Sequence, residues 1–224
     1  MDEKYVVHRA KEESRLDGKW DMGLWKEIEK LEVKNVFLKE PEFRPKTEAK
    51  VLYDDDYIYG IFRVEDRYVR AVAQKCQDKV YEDSCVEFFF TPGPDIGVGF
   101  FNLEMNCGGT ILCRYQPAPI TNMTAITDSE CEMIKVYHSE PKIVEPEKQE
   151  PTTWFLEYKV PYALMERYCP VVRPKKGVVW RANFYKCGNN LSRPHYLTWA
   201  VIVNPTPESG FHTPSSFGKL EFED

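Results

Sequence analysis

Short runs of β-branched and aromatic residues, each closed by turn-forming residues, recur along most of this 224-residue chain. Residues 49–66 (AKVLYDDDYIYGIFRVED) hold two such runs joined by three aspartates, which predicts a β-hairpin. Residues 85–90 (CVEFFF) form another run, and TPGPD ends it because proline and glycine do not extend a strand. Further runs of this kind lie at residues 100–106, 110–115, 132–137, 154–160, 178–185, 196–200 and 218–222.

This pattern predicts about ten strands at the spacing of an antiparallel β-sandwich, immunoglobulin-like or jelly-roll-like. Helical patterns are confined to residues 21–30 and 162–168, and their scarcity argues against a doubly wound α/β fold. Residues 139–153 are rich in proline, glutamate and lysine, and we interpret them as an exposed connection between strands. The prediction is therefore one domain, residues 1–224, with one or two short helices.

The composition limits the classes of partner. Hydrophobic residues make up 42% of the chain and aromatic residues 14%, enough to fill a sizeable core. The net charge is −6 with both signs interspersed, which argues against nucleic acid because phosphate binding needs a concentrated basic face. No apolar run is long enough to span a bilayer. The charged N-terminal segment lacks the apolar stretch of a secretory signal, which predicts a cytoplasmic protein if this start is native and an extracytoplasmic one if it was trimmed.

The seven cysteines form no Cys-x-x-Cys pair. An odd and unpatterned set is more typical of buried free thiols than of a disulfide framework or a zinc site. These cysteines are Cys76, Cys85, Cys107, Cys113, Cys131, Cys169 and Cys187.

Motifs of the common enzyme classes are missing from the sequence. It contains no G-x-S-x-G elbow, P-loop, dinucleotide fingerprint or H-E-x-x-H motif, and its four histidines are isolated. Three glutamates, Glu87, Glu104 and Glu157, lie in strand patterns between apolar residues, so alternation places them on the face opposite those residues. Glycoside hydrolysis needs only two carboxyl groups, so these three remain the candidates if the chain is a hydrolase.

Several segments together resemble carbohydrate-binding module family 9, a relative of the DOMON-like sandwiches. The resemblance spans nearly the whole chain, and the order and spacing of its motifs carry it more than any single motif. The segments are LDGKWDMGLWKEIEKL (16–31), TEAKVLYDDDYIYGIFRVED (47–66), VYEDSCVEFFFTP (80–92), WFLEYKVPYALM (154–165), VVWRANFYKC (178–187) and YLTWAVIVNPTPESGFHTPSSFGKLEF (196–222).

The resemblance implies an aromatic clamp around the terminal sugar of a glycan, with polar side chains on the sugar hydroxyls. An aromatic plane suits the C–H face of a pyranose ring, and donors and acceptors around the rim suit its hydroxyls. Motif matching places Tyr81 and Phe211 at the clamp positions, where studied sugar binders of the family have tryptophan. It places Glu87 at the glutamate of a Val-Glu motif and Asn102 where the family carries an arginine.

Further polar residues near these motifs complete the predicted site. His212 follows one clamp residue, and Arg114 or Lys186 could supply a cation in place of the family's arginine. Calcium ions can support loops in the family, and no other cofactor is expected. The candidate calcium ligands are Asp54, Asp55, Asp56 and Asp66, although an acidic hairpin turn can also be simply solvated.

The sequence and the resemblance together predict non-catalytic binding of the terminal sugar of a plant-type oligosaccharide or polysaccharide, such as xylan or cellulose fragments. A glycoside hydrolase is the expected companion. Two alternatives remain open: a glycan-active, endoxylanase-like hydrolase that uses the glutamates above, and a haem-binding DOMON-type redox domain. For the haem alternative, Met105 and His212 are the candidate axial ligands.

Overall fold

The computed structural model describes residues 3–117 and 122–224, and it is an all-β structure. Its helices are α1 (Asp128–Cys131) and α2 (Tyr162–Met165). In these described ranges no helix is long and apolar enough to cross a membrane. The strands are β1 (Lys4–Arg9), β2 (Leu31–Val33), β3 (Asn35–Val36), β4 (Lys46–Tyr53), β5 (Tyr57–Ala71), β6 (Cys85–Thr91), β7 (Phe100–Asn106), β8 (Ile111–Gln116), β9 (Thr124–Ala125), β10 (Lys135–His138), β11 (Val144–Pro161), β12 (Val179–Gly188), β13 (His195–Thr198) and β14 (Gly218–Glu223).

The strands form one hydrogen-bonded sheet that curls so that its two halves face each other. One half has the order β10-β11-β5-β4, and the other has the order β14-β12-β6-β7-β8-β9. Strand β1 joins the halves because it pairs with β4 on one side and with β14 on the other. Both of these pairings are parallel, so the sheet is mixed and the prediction of a purely antiparallel sandwich was wrong at this strand.

The main core fills the space between the two halves. Phe62 on β5 contacts Phe184 on β12 with ring centroids 6.1 Å apart, and Phe88 on β6 lies 6.0 Å from Tyr158 on β11. These four side chains are fully buried, so the strands that carry them pack through their inward-facing residues. The outer face of each half, which points away from this core, is free to contact loops and the N-terminal segment.

The number and length of the strands differ from the sequence prediction. The described residues form fourteen strands rather than about ten, because short pairings such as β2, β3 and β9 have too few residues to show a pattern. Residues 144–153, which we interpreted as a connection, belong to the long strand β11. Register shifts between Val144 and Lys148 and between Gln149 and Thr152 accommodate its prolines.

One disulfide corrects the expectation of free thiols. Cys76 and Cys131 are bonded, and they link the segment after β5 to helix α1. The other five cysteines are free and buried, as the unpatterned spacing indicated.

The N-terminal segment packs on the outer face of β4, β5 and β11. Trp20 and Trp25 are buried there against Tyr59 and its neighbours. Glu157 lies beneath this segment and accepts hydrogen bonds from the Gly18 backbone N–H at 2.8 Å and from Trp25 Nε1 at 2.9 Å. This carboxylate therefore anchors the N-terminal segment to the sheet.

Candidate functional site

A cleft of about 820 Å³ lies on the face of β6, β7, β8 and β12 that points away from the core. Strand β6 is buried on both faces: Val86, Phe88 and Phe90 enter the core, and Glu87 and Phe89 point into the cleft region. The alternation of side chains along a strand produces this division. Three chain segments surround the cleft and contribute residues from the ranges 37–42, 189–196 and 207–212.

Aromatic side chains form one wall of the cleft. Phe211 is stacked on Tyr185, with ring centroids 4.2 Å apart and an interplanar angle of 11°. The rings of Phe37 and Tyr196 both contact the Phe211 ring edge-on, with centroid distances of 5.3 and 6.4 Å. Phe211 is only 9% exposed, so this ring is held rigidly and offers a narrow accessible strip to the cleft. Tyr81, the other predicted clamp residue, lines the same cleft and is half-buried.

Two carboxyl groups, Glu87 and Glu104, form the floor. They are direct cross-strand partners on β6 and β7, and they are 2% and 5% exposed. Burial raises the pKa of Glu104 to about 7 and raises that of Glu87 well above its usual range. Within the described chain, Oε2 of each glutamate has no hydrogen-bond partner. The floor therefore presents buried oxygens that a ligand hydroxyl could satisfy, and protonated Glu87 can also donate.

A row of side-chain hydrogen bonds holds Glu104 in place. Asn102 Nδ2 donates to Glu104 Oε1 at 2.8 Å, and Gln116 Nε2 donates to Asn102 Oδ1 at 3.1 Å. Gln116 Nε2 also lies 2.6 Å from His212 Nδ1 and can donate to it when the histidine is neutral. Burial, with the Arg114 charge nearby, lowers the pKa of His212 to about 4 and keeps the ring neutral near pH 7.

The predicted polar residues divide between two sides of the sheet. Arg114 and His212 line the cleft, and Asn102 lies fully buried beside Glu104 on the same face of β7. Lys186 points into the core instead, because its neighbours Tyr185 and Cys187 take the opposite face of β12.

The surroundings of Lys186 are those of a structural cation. Its ammonium group lies 3.4 Å from Asp66 Oδ2 and 2.7 Å from His195 Nε2, and it sits 5.8 Å from the centre of the Trp154 ring. Burial and this ammonium lower the pKa of His195 to about 3, so the histidine is neutral and accepts a hydrogen bond from Lys186. His195 itself lines the cleft.

Of the four aspartates considered as calcium ligands, Asp66 lies apart from the other three, which follow one another in the turn between β4 and β5. Asp54 Oδ1 accepts the backbone N–H groups of Asp56 and Tyr57 at 2.8 and 2.7 Å, as in an Asx turn. Asp55 pairs with Arg9, and Asp66 lies farther along β5 beside Lys186. Asp54 and Asp55 thus already have protein partners, and the four aspartates do not form one set of ligands.

The residues of the two alternative functions are also separated. Glu157 lies under the N-terminal segment, far from the cleft floor that holds Glu87 and Glu104. Met105 is buried in the main core, whereas His212 contacts Phe89 on the other face of the sheet. The structure brings together neither the three glutamates nor the two candidate haem ligands.

Several residues in or next to the cleft were not identified in the sequence. Alternation along CVEFFF could have placed Phe89 beside Glu87. Phe37, Gln116, His195 and Tyr196 carry no local signal, because they reach the site through pairings between distant segments.

Comparison with known proteins agrees with this architecture. A family model described as carbohydrate-binding family 9 matches residues 21–222. A crystal structure of a candidate carbohydrate-binding protein from Bacteroides uniformis is 27% identical, with a TM-score of 0.85 and complete coverage of both chains. No curated protein sequence matches the chain.

Two more distant structures share the fold. A family 9 carbohydrate-binding module from Caldicellulosiruptor kristjanssonii in complex with cellotriose is 12% identical, with a TM-score of 0.66 over 99% of this chain and 94% of the other. The complex of a family 9 module from the same organism with glucose is 12% identical, with a TM-score of 0.64 over 97% and 95% of the two chains.

Proposed function

We propose that this chain, which belongs to carbohydrate-binding family 9, binds the terminal sugar of an oligosaccharide or polysaccharide in the cleft bounded by Tyr81 and Phe211. The activity is binding without catalysis. The observation that carries the proposal is a single cleft in which aromatic rings stand beside buried carboxyl oxygens that have no protein partner. A pyranose needs both features, since its C–H face packs on rings and its hydroxyls need donors and acceptors.

The chemistry of the floor fits a neutral, hydroxyl-rich ligand better than an anion. When Glu104 is ionised, its carboxylate can accept a hydrogen bond from a ligand hydroxyl. Protonated Glu87 can both donate and accept a hydrogen bond. An anionic ligand would meet repulsion from an ionised Glu104 in a poorly solvated site, although Arg114 offsets part of that charge. Xylo- and cello-oligosaccharides have the required neutral hydroxyls.

The arrangement of the two carboxyl groups supports binding over hydrolysis. Glu87 and Glu104 lie side by side on adjacent strands of one floor. A glycosidase places its two carboxyl groups on either side of the scissile bond. Two groups on the same side can bind hydroxyls but do not flank a glycosidic oxygen.

The test is calorimetric titration of the protein with xylo-, cello- and manno-oligosaccharides and their monosaccharides. We expect weak, enthalpy-led binding to at least one series. Tyr81→Ala and Phe211→Ala should each weaken it by about tenfold or more, which corresponds to about 1.4 kcal/mol. Tyr57→Ala is the matched control, because Tyr57 is a half-buried tyrosine at the hairpin of the other half and should leave the affinity unchanged.

Reduced oligosaccharides, whose terminal ring is opened, show whether the site requires a free reducing end. Long incubation with the same glycans should produce no new reducing ends, and their appearance would favour the hydrolase alternative. Absence of binding to every sugar of the panel would overturn the assignment of the cleft. So would Tyr81→Ala and Phe211→Ala proteins that both bind as tightly as the wild type.

A further inference from the structure

Two free thiols and a carboxyl group converge at one corner of the cleft floor. Cys85 and Glu87 point to the same side of β6, and Cys187 is the direct cross-strand partner of Cys85 on β12. One ligand atom from each residue lies within 4.8 Å of the other two. It is the one group of three or more metal-binding side chains of this kind found in residues 3–117 and 122–224. All three residues are buried.

The contacts inside this group leave ligand capacity unused. Cys187 Sγ donates to Glu87 Oε1 at 3.0 Å, while Glu87 Oε2 has no hydrogen-bond partner among the described residues. Tetrahedral zinc with bond lengths of about 2.3 Å to sulfur and 2.1 Å to oxygen separates its ligand atoms by roughly 3.6 to 3.8 Å. Shifts of about 1 Å or less, within reach of side-chain torsions, would bring the three atoms to that spacing.

We propose that Cys85, Cys187 and Glu87 bind one thiophilic divalent cation, such as Zn²⁺ or Cd²⁺, at the floor of the cleft. Two sulfur atoms with one carboxylate suit such borderline or soft cations, whereas Ca²⁺ and Mg²⁺ take oxygen ligands. Glu87 and Cys187 line the cleft, so the fourth coordination position opens toward it.

Binding a cation changes the protonation of this site. The Cys187 Sγ–H that donates to Glu87 Oε1 has to leave as a proton when the sulfur binds a cation, and the same holds for the Cys85 thiol. Binding displaces three protons: the cation and two thiols plus one carboxylic acid become a complex of charge −1 and three free protons. Lys186 stands just across the sheet, with Nζ 3.1 Å from the Cys187 carbonyl oxygen, and its positive charge attracts that complex although it is already paired with Asp66.

The same position predicts an effect on the cleft. A cation bound through Glu87 and Cys187 occupies the Glu87 carboxyl group and puts a Lewis-acidic centre in its place, while Glu104 stays on the floor. Metal binding is measured without sugar, so its failure and the failure of sugar binding are separate results.

The experiment is a titration of the whole purified protein with Cd²⁺ alone. The near-ultraviolet charge-transfer absorption of cadmium thiolate monitors the binding. The buffer keeps the Cys76–Cys131 disulfide oxidised, and a count of five free thiols before titration verifies the starting state. We expect the band to saturate at one equivalent. Cys85→Ser and Cys187→Ser should abolish it, and Glu87→Gln should weaken binding by at least about tenfold.

Cys169→Ser is the matched control, because Cys169 is a free, buried thiol of the main core and should leave the band unchanged. Native mass spectrometry of the unmodified protein adds a readout that depends on no variant, because it counts the cadmium ions bound per chain, and we expect one. A wild-type protein without the band, or a band that survives both Cys85→Ser and Cys187→Ser, would overturn the proposal.

Discussion

Tyr185 and Phe211 stack face to face, and the Tyr185 hydroxyl also donates to the Phe211 carbonyl oxygen at 3.1 Å. Tyr185 is fully buried and belongs to β12, whereas Phe211 belongs to a loop at the cleft wall. The pair therefore fastens the loop that carries one clamp residue onto the sheet.

The first prediction tests this support. Tyr185→Ala should weaken sugar binding by about three- to tenfold although Tyr185 does not line the cleft, because Phe211 loses the ring that fixes its position. Tyr185→Phe keeps the stacked ring and loses one hydrogen bond, so it should cost about 1 kcal/mol of unfolding free energy and leave the affinity nearly unchanged. Calorimetry and chemical unfolding measure both quantities. Equal affinity in Tyr185→Ala and the wild type would show that Phe211 needs no such support.

The second prediction concerns Asn102, which lies beside Glu104 on the same face of β7 and donates to it. Asn102→Ala removes the donor to Glu104 Oε1 and one of the two acceptors of Gln116 Nε2, so two buried groups each lose a partner. We expect a loss of about 1 to 3 kcal/mol in unfolding free energy and a several-fold weaker affinity for sugar. Asn190→Ala is the control, since Asn190 is exposed and bonds Glu82 outside this row. An Asn102→Ala protein with unchanged affinity would exclude Asn102 as a positioning residue.

The sequence made the strands and one face of the cleft predictable. Side chains alternate in direction along a strand, so Glu87 of CVEFFF lies on the face opposite Val86 and Phe88. Tyr81 and Phe211 were found by their place in family-like motifs, and the structure places both at one cleft. The role of each at the cleft stays a prediction until binding is measured.

The remaining features depend on contacts between distant segments. KYVVHR buries only Tyr5 and Val7, so nothing in it indicates that β1 pairs in parallel with strands from both ends of the chain. Gln116 enters the site only because β8 lies beside β7. The side that Lys186 takes could have been deduced from Trp180 on the same strand, since residues an even number apart share a face. The pairing of Lys186 with Asp66 could not have been deduced, because Asp66 lies on β5 in the facing half of the sheet.

The third prediction follows from that buried pair. Lys186→Met leaves the Asp66 carboxylate uncompensated in the core, and we expect a loss of about 3 to 5 kcal/mol in unfolding free energy. Adding Asp66→Asn should restore part of that loss, because the second change removes the unpaired charge. Lys176→Met, at an exposed lysine, should have little effect. Folded Lys186→Met protein should bind sugar like the wild type, and a large loss of affinity would place Lys186 in the binding site after all.

The fourth prediction uses Glu130, whose carboxylate caps helix α1 beside the disulfide. It accepts the Thr127 backbone N–H at 2.9 Å and the Tyr168 hydroxyl at 2.7 Å, and the Thr127 bond is the main reason that its pKa falls to about 2. A carboxyl group with a lowered pKa stabilises the fold fully above its unfolded value of 4.5, and that stability is lost as the pH falls toward about 2. Glu130→Gln should therefore be less stable than the wild type by about 1 to 2 kcal/mol at pH 7.

The difference should shrink as the pH is lowered from 4.5 toward 2, which urea unfolding at a series of pH values measures directly. Glu132→Gln is the matched control, since Glu132 is an exposed glutamate at the end of the same helix and its side chain takes no part in the cap. Its stability should follow that of the wild type at every pH. A Glu130→Gln difference that stays constant between pH 7 and 2 would show that the cap acts through the shape of the side chain and not through its charge.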